Sequence, residues 1–139
     1  MNEQTKEEWR EFGFFYDYDE KNSCWRLVGS RKGLLKFCDI LNEYANDERN
    51  APLSEHEHYG PYWYLKLATW EKAIITADAI YGTLDDFRRL SKLTKQKLEN
   101  AVAGDKVTID VEYSLENEAK ILFEIEADDF DAAKADALL

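Results

Sequence analysis

Sulfur-containing residues are scarce in this chain of 139 residues, which holds two cysteines and one methionine. Cys24 and Cys38 have neither the C-x-x-C spacing of a zinc or redox motif nor a histidine beside them. Two cysteines also do not make the disulfide framework of a small secreted domain. We therefore predict that both are small buried core residues and that neither binds a metal.

Long apolar runs are missing as well. No stretch approaches the roughly 20 apolar residues that a membrane-spanning helix needs. The first residues, up to Arg10, are polar and lack the apolar segment of a signal peptide. These absences predict a cytoplasmic protein that does not bind a membrane.

Motifs of common catalytic centres are absent too. The sequence has no serine elbow, no cysteine with a neighbouring base and no glycine-rich phosphate loop. Carboxylates are plentiful, but no pair is distinguished as a general acid and base. We therefore assign no catalytic residue and no cofactor, and an enzyme remains the less favoured alternative.

Basic residues are outnumbered, because 18 Lys and Arg stand against 29 Asp and Glu, which gives a formal net charge of -11. Such a chain repels the phosphates of nucleic acids and of anionic lipids. We predict no nucleic-acid partner, and a basic protein as the partner that this charge would attract. The alternative is that the acidity only keeps the protein in solution.

Apolar and aromatic residues, by contrast, are abundant, at 45% and 14% of the chain. They suffice for a packed core, and a chain of this length most often forms one domain. The alternating pattern of residues 12–18 and the apolar residues of 24–28 predict a hairpin that opens the domain. Ser30 should then cap an amphipathic helix that ends near Asn46.

The second half repeats this order. Residues 62–69 and 73–80 are predicted to form a second antiparallel hairpin, and Thr83 with Asp86 resembles a capping box that opens a second helix. Gly104 is the expected stop signal of that helix. Residues 106–113 and 121–126 alternate cleanly and predict a third hairpin.

The predicted fold class is α+β, with an antiparallel sheet of about six strands in the order ββαββαββ and two amphipathic helices on the sheet. Gly29-Ser30 and the helix after it align with Gly82-Thr83 and the next helix at a shift of 53 residues. An internal duplication and a coincidence of capping rules both explain this match.

Three groups of residues are candidates for contact with a ligand or partner. His56 and His58 would point the same way on an extended strand and so could share a metal, although no motif supplies a third ligand and we assign no metal. Tyr59, Tyr62 and Tyr64 suit a partly wet interface, with core packing as the alternative. Glu112, Glu124 and Glu126 are predicted to form an acidic face of the sheet. The second helix, rich in Arg and Lys, is predicted to present a solvated basic face.

Residues 29–45 and 56–67 resemble stretches of small uncharacterised bacterial proteins, some of which are classed as immunity proteins of polymorphic toxin systems. The resemblance rests on a strand, Gly-Ser, a Gly-Leu-Leu helix and a His-x-His strand entry, and covers the first half of the chain. Together with the net charge and the missing catalytic motifs, this resemblance leads us to expect an acidic cytosolic binding protein of immunity type, which inhibits a basic toxin, by occluding its active site, or another basic protein. A small-ligand or metal-binding domain at the histidines and tyrosines, and a self-associating domain such as a homodimer, are the alternatives.

Overall fold

A computed structural model describes residues 2–139. In that part of the chain the fold is α+β, with three helices and eight strands. The helices are α1 (Asn2–Phe12), α2 (Arg31–Ala45) and α3 (Leu84–Leu98). The strands are β1 (Phe15–Asp19), β2 (Cys24–Ser30), β3 (His56–Tyr59), β4 (Leu65–Thr69), β5 (Ile74–Ile75), β6 (Ile80–Gly82), β7 (Lys106–Ile109) and β8 (Lys120–Glu126). None of these helices is long and apolar enough to cross a membrane.

The strands form two mixed sheets of four, in the orders β1-β2-β8-β7 and β3-β4-β6-β5. In each sheet the central pair is parallel and the outer pairs are antiparallel. The prediction of one antiparallel six-stranded sheet in ββαββαββ order is therefore wrong. A parallel neighbour comes from a distant part of the chain, and the local alternation of side chains does not reveal which strand that is.

The second predicted hairpin is also wrong. β4 does not pair with β5 but lies antiparallel to β3, across the turn at Gly60-Pro61, and parallel to β6. The first and third hairpins are present as β1/β2 and β7/β8. The first begins later than predicted, because residues up to Phe12 belong to α1 and Gly13, at a φ of 96°, reverses the chain.

Each half of the chain contains the order ββαββ, and the halves exchange strands. Each sheet combines the first two strands of one half with the last two strands of the other. α2 and α3 have 15 residues each. Their caps are equivalent, because Ser30 Oγ accepts from the N–H of Gly33 and Thr83 Oγ1 from that of Asp86. Asp86 completes the predicted capping box, while α3 ends at Leu98, before Gly104.

The two helices pack against each other at Cys38 and Ser91, which stand at the equivalent position of each helix. Each side chain donates to the other residue's backbone carbonyl over 3.5 Å. Cys24 and Cys38 are both buried and unpaired, and burial raises the pKa of both thiols. Arg88 donates to the carbonyl of Ala45 at the end of α2, and Arg31 to that of Glu99 beyond α3, so the helices run antiparallel.

Candidate functional site

An open groove of about 650 Å³ lies beside β1, and we call it the β1 groove. Four consecutive residues of β1, Phe15 to Tyr18, border it, together with Trp25 and Arg26 of β2. Its remaining walls come from Trp9 of α1, from Tyr62 and Tyr64, from Ala77 and Asp78, and from residues 135–138 near the end of the chain. Its volume lies within the range of about 300–1,000 Å³ that is usual for ligand pockets.

The turn between β3 and β4, residues 60–64, overhangs this groove and is called the aromatic turn. Tyr62 and Trp63 have φ values of 67° and 61°, the left-handed region that non-glycine residues avoid. Each such residue costs about 1–3 kcal/mol and persists only where its surroundings hold it. Gly60 also has a positive φ, of 77°, and a Cβ there would lie 2.6 Å from the ring of Tyr16.

Tyr16 is the residue that holds the aromatic turn. Its hydroxyl donates to the carbonyl of Pro61 and accepts from the N–H of Tyr64 at 3.1 Å. Burial raises the pKa of Tyr16, which keeps the donating proton on the hydroxyl. His58 adds a second tie, because its Nδ1 lies 2.9 Å from the carbonyl of Trp63.

The aromatic rings of this turn remain in solvent. Trp63 is 64% exposed and Tyr64 66% exposed. Tyr62 and Tyr64 stack with ring centroids 5.8 Å apart. Strain that places large apolar rings in water does not serve the core, and exposed aromatic residues of this kind are enriched where proteins bind one another.

Asp136 joins the end of the chain to the aromatic turn. This residue is only 7% exposed, and its Oδ2 accepts from Tyr62 Oη at 2.6 Å and from Trp9 Nε1 at 2.8 Å. Burial works to raise the pKa of Asp136, but the hydrogen bonds from Tyr62, from the N–H of Leu138 and from Trp9 outweigh it and lower that pKa. The hydrogen bond to Asp136, in turn, raises the pKa of Tyr62 to about 12.

Carboxylates dominate the charge of the β1 groove. Among the residues that the structure describes, Asp17, Glu20, Asp78 and Asp136 line it against a single cation, Arg26. Arg26 is already neutralised, since it pairs with Asp17 at 2.8 Å and with Glu124 at 3.4 Å. The groove therefore combines aromatic surface with an excess of negative charge, which suits a cationic ligand.

His56 and His58 lie on β3 with ring centroids 5.5 Å apart and planes at 89°. The Nδ1 of His56 lies 3.1 Å from the carbonyl of Ser54, and His58 has the contact to Trp63 described above. Because a carbonyl only accepts, each Nδ1 is the donor in its contact. Within residues 2–139, however, no three His, Cys, Asp or Glu side chains are grouped to hold a metal.

The remaining predicted site residues are scattered. Tyr59 is half-buried against the core, and burial raises its pKa. Glu112 lies outside β7, where it pairs with Lys97 at 2.6 Å, while Glu124 pairs with Arg26. Glu126 is exposed at the end of β8. The prediction that Glu112, Glu124 and Glu126 form one acidic sheet face is therefore wrong, because Glu112 is not a strand residue and two of the three are paired.

Positive and negative charge are distributed unevenly between the two packed helices and the rest of the chain. α2 and α3 carry eight Lys and Arg against four Asp and Glu, a net charge of +4. Because the whole chain has a net charge of -11, the residues outside α2 and α3 have a net charge of -15. Lys92 and Lys95 of α3 are exposed, as a solvated basic face predicts, whereas Arg88 and Arg89 are held by Asp85 and Asp86. The negative charge thus lies outside the two packed helices, where the β1 groove is.

Trp9, Asp17, Asp78 and Asp136 were not among the predicted site residues. They come from four separate segments, and no local pattern marks any of them. Comparison of the chain with protein-family models, with curated proteins and with solved structures finds no match in any of the three.

Proposed function

We propose that this chain is a binding protein of immunity type, which inhibits a basic toxin domain or another basic protein by holding it at the β1 groove and the aromatic turn. The observation that carries the proposal is the strained, exposed aromatic turn beside a groove lined by four carboxylates and one neutralised cation.

The fold itself does not require the aromatic turn. The equivalent connection of the second half, residues 110–119, joins β7 to β8 without any residue at positive φ. Its exposed residues include Leu115, at 88%, but no exposed aromatic ring. The difference supports a role for the turn in binding, because strained residues cluster at ligand and partner sites.

The chemistry of the groove supports a basic partner. Guanidinium and ammonium groups are attracted to the faces of tryptophan and tyrosine, and more strongly where carboxylates lie nearby. The charge of -15 outside the packed helices would also speed the approach of a basic protein, at a rate that falls with salt.

Binding can be tested with an arginine-rich basic hexapeptide, acetylated and amidated at its ends, titrated calorimetrically into the chain. Trp63→Ala and Tyr64→Ala should each weaken binding at least tenfold while leaving unfolding within about 0.5 kcal/mol of the parent, since both rings are exposed. Leu115→Ala in the equivalent connection is the matched control and should bind like the parent. Equal affinity of all four proteins would contradict the proposed site.

Inhibition is tested in cells whose growth is arrested by a basic toxin domain that this chain captures from an extract of its source cells. Co-expression should restore growth, and the Trp63→Ala, Tyr64→Ala double variant should fail to do so while Leu115→Ala succeeds. Restored growth with the double variant would place inhibition elsewhere on the molecule.

The histidine pair supports a second candidate, a metal-binding domain. In both rings Nδ1 donates to a backbone carbonyl, the arrangement that orients metal-binding histidines. Titration with Zn²⁺ and Ni²⁺ tests it, with His56→Ala as the variant. If His56→Ala retained as much metal as the parent, the metal-binding function would be ruled out.

A further inference from the structure

The free edge of β1 is the feature that carries a further inference. Within residues 2–139, β2 is the only strand beside β1. Among residues 2–139, no backbone group outside β2 forms a hydrogen bond with the backbone of residues 15–19. Phe15 and Tyr16 at the start of β1 are buried, and Trp9 of α1 packs on both rings, which leaves residues 17–19 as the accessible part of this edge. Every second residue of an antiparallel edge strand turns its N–H and C=O outward, so this part presents unpaired donors and acceptors.

The β1 groove follows this edge. Side chains of successive strand residues point to opposite faces of a sheet. Phe15 and Asp17 therefore lie on one face and Tyr16 and Tyr18 on the other, yet all four border the same groove. A groove shared by both faces has to run along the edge, where the three accessible residues, 17–19, give it a length of about 10 Å.

The other sheet edges are less suited to pairing. β5 has two residues, and β3 and β7 have four each. β7 also carries Lys106, and a lysine on an edge strand discourages added strands. Within residues 2–139, β1 is the edge strand that borders the β1 groove, and it contains neither lysine nor proline, in the sequence FYDYD.

We propose that β1 receives an extended segment of the basic partner as a fifth strand of its sheet, so that backbone hydrogen bonds supply affinity and the aromatic and acidic walls select arginine and lysine side chains. The inference rests on the proposed function and specifies how the partner is recognised. A second copy of this chain is disfavoured at the edge, because pairing two β1 strands would bring Asp17 and Asp19 of each copy together.

The test uses the hexapeptide Arg-Val-Arg-Val-Arg-Val and amide hydrogen exchange of the whole chain. In the free protein, alternate amides of residues 17–19, those outside the ladder with β2, should exchange quickly. Saturation with the peptide should slow the exchange of those amides at least tenfold. A matched peptide with proline in place of each valine keeps the charge but loses alternate N–H donors, and it should bind at least tenfold more weakly.

The outcomes separate this inference from the proposed function. Tight binding of both peptides with unprotected β1 amides would overturn strand addition and leave a site made of side chains. Failure of both peptides to bind would overturn the basic-partner proposal itself. Protection of the β1 amides that rises with protein concentration in the absence of peptide would assign the edge to self-association and also overturn the inference.

Discussion

The two halves of the chain share the order ββαββ but differ in the connection between their last two strands. In the first half that connection is the aromatic turn, with two aromatic residues at positive φ. In the second half residues 110–119 form polar turns, in which Asn117 donates to the carbonyl of Asp110. Features that both halves possess belong to the fold, and features that only one half possesses are the candidates for function.

Positions 53 residues apart make the shared features visible. Gly29 and Gly82 end equivalent strands, Ser30 and Thr83 cap equivalent helices, and Cys38 meets its own counterpart Ser91. Equivalent positions that hold different kinds of residue are also informative. Gly33 corresponds to Asp86, and Tyr44 corresponds to Lys97, so the helix starts and ends are built differently around the same frame.

The largest expected losses of stability come from a core position that both halves share. Phe37 and Leu90 are equivalent, and both are fully buried. Replacement by alanine removes apolar contacts and leaves a cavity, so Phe37→Ala should cost about 4 kcal/mol and Leu90→Ala about 3 kcal/mol of unfolding free energy. Urea unfolding measures both. If either variant lost less than about 1 kcal/mol of unfolding free energy, the two positions would not be equivalent core positions of the two halves.

Gly33→Ala tests a pair of equivalent positions, Gly33 and Asp86, at which the two halves hold different residues. A Cβ on Gly33 would lie 2.2 Å from the carbonyl oxygen of Gly13, which is backbone and has to move. We expect a loss of about 2 kcal/mol in urea unfolding, since overpacking forces the α2 start away from its neighbour. Lys32→Ala is the exposed control beside it and should stay within about 0.5 kcal/mol.

The helix caps should behave alike in both halves. Ser30→Ala and Thr83→Ala each remove one hydrogen bond to an otherwise unpaired N–H at the helix start. Each should cost about 1 kcal/mol, measured by thermal or urea unfolding. Ser30→Thr and Thr83→Ser keep the capping oxygen and should restore most of the lost stability.

The smallest expected effect concerns acid. The hydrogen bond from Lys97, with that from the N–H of Asp110, lowers the pKa of Glu112 from 4.5 to about 2. The pair with Lys97 therefore stabilises the fold fully above pH 4.5 and loses that contribution as the pH falls towards 2. Glu112→Gln should unfold at lower urea than the parent at pH 7, and this difference should shrink to nothing near pH 2.

The first half provides the control for this acid sensitivity. Tyr44, at the position of Lys97, donates to the carbonyl of Glu55 instead of pairing with a carboxylate. Tyr44→Phe should therefore give a loss of stability that is the same at pH 7 and pH 3. A pH-dependent loss for Tyr44→Phe would show that the two helix ends do not differ in the way their contacts indicate.

Of the three helices, α2 and α3 were predictable because their signals are local. Ser30, Asn46, Thr83 and Asp86 lie where the sequence places the ends or caps of α2 and α3. The arrangement of the strands in two mixed sheets was not predictable, since the parallel pairing of Cys24 with Lys120 depends on contacts between residues at opposite ends of the chain. Tyr62 and Tyr64 were predicted as contact residues from their chemistry. The left-handed conformation of Tyr62 and Trp63 was not predicted, because aromatic residues favour a strand and the contacts of the turn with Tyr16 and His58 come from other parts of the chain.

The exchange of strands between the halves also determines when the fold can be completed during synthesis. β2 is made early, but its parallel neighbour β8 leaves the ribosome only after residue 120. Contacts of such high sequence separation slow folding, because a long loop must close before they form. We therefore expect the first half to remain unfolded on the ribosome until the last strand emerges, and the whole chain to fold afterwards in one cooperative step.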